Sequence, residues 1–424
     1  MRRLLYLLVF VASLAVLAGL AIVALNLRGE DKLPDPPVAF NPTPGQIERG
    51  RYLALAGNCA GCHTARGGAP YAGGAGIETP FGTIFASNLT PDPNAGIGGW
   101  TSAHFWRALH NGRSKDGRLL YPAFPYPNFT RVTREDSDAI FAYLQSVPAS
   151  PTPNLSHDLR FPYDTQAALA VWRALSFTPG TYVPDPAKPA EWNRGAYLVD
   201  GLGHCIACHG TRNALGATQE KLGLSGGLIA VENWYAPSLT SRREAGVADW
   251  DPKDVAELLK NGRSARGSVM GPMADVVFGS TQHLEDADLR AMGVYLKTLP
   301  NVASAAPATT STASRRDPRV MERGERIFDQ RCAYCHGDQG QGAEGAYPPL
   351  AGNRAVVMDS AVNLIQIVRH GGFLPSTGGN PRPYGMPPFR YVLDDTDVAA
   401  VLTYVRGSWG NDAPPVTPRD MLPR

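Results

Sequence analysis

The chain has 424 residues, 43% of them hydrophobic, with 40 basic against 38 acidic side chains and a formal net charge of +2. At about 100–200 residues per domain this predicts two to four domains, and so even a balance argues against nucleic acid as a partner and leaves little long-range steering. The 45 glycines and 37 prolines point to many loops and short helices rather than long bundles.

The N-terminus opens with Arg2-Arg3, followed by an uncharged apolar run from Leu4 to Leu25 and then Asn26-Leu27-Arg28-Gly29-Glu30-Asp31. A bilayer-crossing helix needs roughly 20 apolar residues, so residues 1–30 are expected to form a membrane anchor. A cleaved signal peptide would have a shorter apolar region and an A-x-A site, which this run lacks. Arg2 and Arg3 hold the N-terminus in the cytoplasm and place everything after Arg28 on the outer face.

Downstream, the six cysteines fall in three copies of one pattern: Cys59-Ala60-Gly61-Cys62-His63, Cys205-Ile206-Ala207-Cys208-His209 and Cys332-Ala333-Tyr334-Cys335-His336. Each is C-x-x-C-H, the haem c attachment signature. A lone C-x-x-C could be a redox dithiol or half a zinc site. Three copies, each followed by His, with no cysteine left over, point to three covalent haems c.

A repeat surrounds each motif. The lead-ins are Glu48-Arg49-Gly50-Arg51-Tyr52-Leu53, Asn193-Arg194-Gly195-Ala196-Tyr197-Leu198 and Glu322-Arg323-Gly324-Glu325-Arg326-Ile327. After the motifs come the turns Ser87-Asn88-Leu89-Thr90, Pro237-Ser238-Leu239-Thr240 and Pro348-Pro349-Leu350-Ala351. Next is a helix with a basic, glycine-rich exit, running Trp100–Gly117, Trp250–Gly267 and Leu364–Gly372. Each copy closes on an apolar helix, Asp136–Tyr143, Asp288–Tyr295 and Asp397–Tyr404, with Asp and Tyr two turns apart on one face. The predicted domains are residues 45–148, 188–300 and 317–411, joined by proline-rich linkers at 149–187 and 301–316, with a tail at 412–424 draped over a surface. Ala303–Ser314 reads as a flexible linker, and Leu159–Ser176, with Trp172, as a helix packing on a neighbour.

On one helical turn, residues three and four apart lie close together. The two cysteines can therefore add to both vinyl groups of one haem while the next histidine sits under the iron, making His63, His209 and His336 the proximal ligands. A sixth ligand must come from the opposite side. Met273 serves in the second copy, with Met270 as its rival, and Met386 in the third. Methionine ligation raises the potential of a haem c. The first copy has Tyr121-Pro122-Ala123-Phe124-Pro125-Tyr126, with Phe124 where the methionine should stand. No methionine lies between Met1 and Met270, so haem I is expected to be five-coordinate, or to take His104, His110 or a partner's group, and to have the lowest potential.

Together these motifs resemble the triheme cytochrome c subunit of bacterial membrane-bound dehydrogenases. Further markers are Thr79-Pro80-Phe81-Gly82-Thr83-Ile84, Asn88-Leu89-Thr90-Pro91-Asp92, Gly96-Ile97-Gly98, Leu120-Tyr121-Pro122-Ala123 and Trp409-Gly410-Asn411. The resemblance covers nearly everything after Gln46. It implies a mainly α chain of three tandem class I cytochrome c-like domains in the periplasm behind one inner-membrane helix. It also implies electron transfer from a catalytic subunit to ubiquinone or another cytochrome. The Phe124-bearing segment and the anchor look most like the branch whose partners are a molybdopterin subunit, oxidising aldehydes, and a [2Fe-2S] subunit. Quinoprotein alcohol dehydrogenases and flavoprotein gluconate or sugar dehydrogenases are the alternative partners. A haem enzyme using an open haem I iron, and a free electron shuttle, are the competing functions. Nothing resembles a nicotinamide or flavin fingerprint, or a nucleophile with its base.

Overall fold

A computed structural model describes residues 2–36, 38–301 and 316–422, so the Ala303–Ser314 linker lies outside the described residues. The chain is mainly helical, with short β-hairpins, and divides into two compact units. One holds residues 1–54 and 62–183, the other residues 55–61 and 184–424.

In the first unit, α1 (Arg2–Leu27) carries leucines, valines and Phe10 on an exposed surface, and Asn26 is its one buried side chain. At about 1.5 Å per residue, its 26 residues are long enough to span a bilayer. Helix α2 (Pro44–Ala56) crosses α6 (Arg134–Ser146) where a Cβ on Gly50 would sit 1.8 Å from the Ala139 carbonyl oxygen, so only glycine permits the approach. Between them in the chain come α3 (Cys59–His63), whose first three residues belong to the other unit, and then the antiparallel hairpin β1 (Gly76–Thr79) and β2 (Gly82–Phe85), α4 (Ser102–Asn111) and α5 (Tyr126–Phe129). The hairpin gains a third strand from β3 (Asp158–Leu159).

Within the expected Trp100–Gly117 stretch, α4 forms the helix and residues 112–117 the glycine-rich exit, because both helix ends are specified locally. Thr101 caps its first turn, and Gly112 leaves the helix at φ 58°. The predicted helix within Leu159–Ser176 is α7 (Gln166–Ser176), which packs on the C-terminal end of α1.

A polar lock joins these elements. The Asn26 amide donates to Ala170 O at 2.9 Å and accepts from Arg173 Nε at 3.0 Å. Arg28 donates to Phe177 O at 2.7 Å, and Glu30 pairs with Arg113 at 2.9 Å and Arg107 at 3.6 Å.

In the second unit, α8 (Ala190–Tyr197) runs on through a π-helical turn at Leu198–Leu202 and leads to α9 (Ile206–His209). The hairpin β4 (Gly227–Ile229) and β5 (Trp234–Ala236) follows, then α10 (Pro252–Asn261), the hairpin β6 (Arg263–Ser264) and β7 (Gly267–Ser268), and α11 (Pro272–Gly279). Helix α12 (Asp286–Lys297) crosses α8. The third segment repeats the scheme with α13 (Pro318–Arg331), α14 (Ala333–His336), α15 (Arg354–Val357), α16 (Val362–His370), the hairpin β8 (Gly372–Phe373) and β9 (Gly385–Met386), and α17 (Asp395–Val405).

Gly195 meets the Ala291 carbonyl, and Gly324 the Ala400 carbonyl, at the same crossing as Gly50. Tyr235, Met358 and Val362 form one buried cluster, so the second and third segments share core within this unit. The Asn363 amide clamps that seam, accepting from Tyr235 N at 2.9 Å and donating to Tyr235 O at 2.7 Å. The C-terminal tail packs along the third segment. Val416 and Met421 are buried with Ala361, Ile365, Val398 and Leu402, because their apolar side chains pack against α16 and α17.

Candidate haem-attachment sites

Each C-x-x-C-H motif forms a single helical turn after a lead-in helix: α3 holds all of the first motif, and α9 and α14 begin one residue after Cys205 and Cys332, which cap them. Each histidine then meets a carbonyl. His63 Nδ1 is 2.6 Å from Ser87 O, His209 Nδ1 is 2.7 Å from Pro237 O, and His336 Nδ1 is 3.2 Å from Pro348 O.

A carbonyl oxygen only accepts, so Nδ1 must carry the proton and Nε2 keeps its lone pair. Each acceptor is the first residue of the turn repeated after the motif, which explains why that turn recurs with varied side chains. Its contribution is a backbone oxygen. Burial holds all three imidazoles below the usual histidine range, with the carbonyl bond opposing, so they stay neutral and able to bind iron.

Burial likewise pushes the thiol of Cys205 up to about 12 and that of Cys332 up to about 11. Among the described residues, no group of three or more His, Cys, Asp or Glu side chains converges on a metal site. Two cysteines and a histidine within one turn form a donor set that fits covalent haem.

The candidate sixth ligands separate by environment. Met273 sits in the first turn of α11 and packs against buried Val269, Ala274 and Val277. Met270 points elsewhere: its methyl lies 3.4 Å from where a Cβ on Gly372 would be. Met386 is on β9, paired across from Gly372.

In the first segment, half-buried Phe124 packs on Phe129, with ring centroids 5.4 Å apart, and near Tyr126 at 6.4 Å. His104 is engaged in the helix cap, where its Nδ1 accepts the Thr101 N–H at 3.2 Å. His110 is not a surface residue. It is buried, stacked on Trp106 at 4.3 Å, with Nδ1 2.9 Å from Thr130 O.

The repeated arginine of each lead-in pairs with the repeated aspartate of the closing helix, a contact that sequence reasoning missed. Arg49 meets Asp136 at 2.7 Å, Arg194 meets Asp288 at 2.6 Å, and Arg323 meets Asp397 at 2.7 Å. Both residues were visible as repeats, and their recurrence in register was the available signal.

The cytochrome c family model matches residues 47–148 and 321–409, which contain the first and third motifs. The cytochrome c subunit of alcohol dehydrogenase (quinone) from Gluconobacter oxydans is 40% identical, covering 87% of this chain and 79% of that one. The chain belongs to the cytochrome c subunits of dehydrogenases. Another member, the gluconate 2-dehydrogenase cytochrome c subunit of Pantoea cypripedii, is 36% identical over 87% of this chain and 86% of its own. A nicotinate dehydrogenase subunit from Pseudomonas putida is 41% identical over 96% of this chain but only 33% of its own length. The cytochrome therefore carries covalent haem c and transfers electrons.

Proposed function

We propose that this cytochrome carries three haems c and relays electrons from a dehydrogenase catalytic subunit on the periplasmic side to ubiquinone or another cytochrome. The carrying observation is the threefold recurrence of one site, a C-x-x-C-H turn whose histidine donates to the carbonyl of the following loop. The second motif lies outside the two regions matched by the family model, yet its histidine contact, helix-crossing glycine and ion pair equal those of the other two.

Bound haem c supplies a one-electron couple. The chain's residues do the rest. Cys59 and Cys62, Cys205 and Cys208, and Cys332 and Cys335 fix the macrocycles. His63, His209 and His336, held by their carbonyls, present Nε2 to the iron without a proton to lose. Met273 and Met386 complete two of the sites. Rigid positioning of this kind keeps reorganisation small when charge changes. A pyridine haemochrome assay against protein concentration tests the count: three haems per chain is expected, and two would overturn it.

For the partner, we infer a molybdopterin catalytic subunit with a [2Fe-2S] subunit, oxidising an aldehyde. Phe124 in place of methionine supports this, as does the nicotinate dehydrogenase relative, whose match must reach into α1 and whose remaining two thirds has no counterpart here. Relatives named for alcohol and gluconate oxidation support the alternative, a quinoprotein or flavoprotein partner. Gentle solubilisation and assay of the co-purifying complex decides. Molybdenum with acid-labile sulfide is expected, whereas pyrroloquinoline quinone or flavin would replace the partner and leave the relay role standing.

Phe124 also motivates a second reading, an open haem I iron that binds a small ligand. Carbon monoxide binding to the reduced protein would reveal it, and turnover without a partner would be needed to call it catalysis.

A further inference from the structure

Helix α7 has an unusual exposed face. Its sequence, Gln166 to Ser176, contains one charged side chain, Arg173, and that side chain is only 4% exposed. The guanidinium turns inward, donating to Asn26 Oδ1 and Asn111 O and lying over the Tyr126 and Phe177 rings at 5.3 and 4.8 Å. On the outer side Ala167, Val171 and Leu175 follow at four-residue spacing, all exposed, with Val171 at 43% and Leu175 at 72%.

A solvent-facing helix normally carries charge on that face. Here the stripe is apolar, and Trp172 flanks it half-buried, a residue type that favours membrane–water interfaces. What covers the stripe follows from its position. Helix α7 packs on the end of α1, with Ala170 O and Arg173 both bonded to Asn26, the last turn of the segment that enters the bilayer. The same polar lock fixes Arg28 to Phe177 O, so α7 cannot swing away from the point where the chain leaves the membrane.

We propose that α7 lies in the headgroup–acyl boundary of the bilayer that α1 crosses, as a second, non-spanning membrane contact. The proposal rests on α1 being a retained anchor. Amphipathic helices of this kind bury their apolar side about 5–10 Å into the boundary. Together with the lock, α7 would hold the first unit against the membrane in one orientation instead of letting it pivot on a single helix.

The test uses the full-length holoprotein in phosphatidylcholine vesicles doped with a lipid carrying a diazirine near the glycerol end of one acyl chain. After photolysis, adducts are mapped by peptide mass spectrometry. Adducts are expected on α1 and on residues 166–176, the latter several-fold above those on α13. A V171E/L175E variant should lose the α7 adducts and keep those on α1. Adducts on α1 with only background on α7 would overturn the proposal and leave the anchor intact. Absence of adducts on α1 would instead remove the anchor itself, and the proposal with it.

Discussion

Arg194 and Asp288 form a two-pronged ion pair, with Nε donating to Oδ1 at 2.8 Å and Nη2 to Oδ2 at 2.6 Å. It ties the lead-in helix of the second segment to its closing helix, beside the residue where Gly195 lets the two backbones touch. Asp288→Asn removes the charge match and one good acceptor from a pair whose aspartate side chain is 12% exposed. A loss of about 1–3 kcal/mol is expected, read as a lower urea midpoint by far-UV circular dichroism. An unchanged midpoint would make the pair ornamental.

Gly195→Ala should cost more than Asp288→Asn. The added Cβ would lie 2.0 Å from the Ala291 carbonyl oxygen, and that neighbour is backbone. Relief requires the helices to separate, at a cost of roughly 1–3 kcal/mol or more. Thermal melting of the holoprotein measures it, and the same loss is expected at Gly50 and Gly324.

Methionine replacement separates the ligand from its neighbour. Met273→Leu and Met386→Leu should each lower one haem's midpoint potential by tenths of a volt, within the ~0.8 V range that axial ligands span. Met270→Leu should leave all potentials in place, since its methyl faces Gly372. A drop on Met270→Leu and none on Met273→Leu would exchange their roles.

Haem I should have the lowest potential, because Phe124 offers no thioether. Phe124→Met is expected to raise that potential alone. Three similar midpoints in a potentiometric titration of the unmodified protein would contradict this.

Glu30 is the acidic partner in the lock at the end of α1. Arg107 and Arg113 have side chains only 12% and 15% exposed, and Glu30→Ala leaves both short of their carboxylate. Breaking this partly buried pair is expected to cost about 1–3 kcal/mol, measurable as a lower denaturation midpoint of the first unit. Intact mass spectrometry of the native protein should also find residues 1–27 present, since removing them would take Asn26 from Ala170 and Arg173.

Arg406 is fully buried, and its guanidinium serves three carbonyls: Val356 O at 2.7 Å, Met358 O at 3.0 Å and Pro414 O at 2.9 Å. Arg406→Met would strand those acceptors, at about 1–3 kcal/mol for each one left dry. Loss of the tail's protection in hydrogen exchange would report it.

Covalent chemistry and local propensity are properties of short sequences, and those parts were legible without coordinates. The cysteine spacing marked three like helical turns, the apolar run gave α1, and the repeated Arg-Gly and Asp…Tyr pairs announced a repeating unit. Helix ends were partly legible, since Thr101 and Gly112 act on their own neighbours. Tertiary structure decided which groups meet across long stretches of chain. The carbonyls of Ser87, Pro237 and Pro348 carry no side-chain signal, so only folding could pair them with His63, His209 and His336. Likewise, Asn26 and Arg173 are polar residues in apolar helices, and their purpose appears only when each becomes the other's buried partner. Burying Val416 and Met421 was a matter of the space left open on α17, which no local pattern encodes.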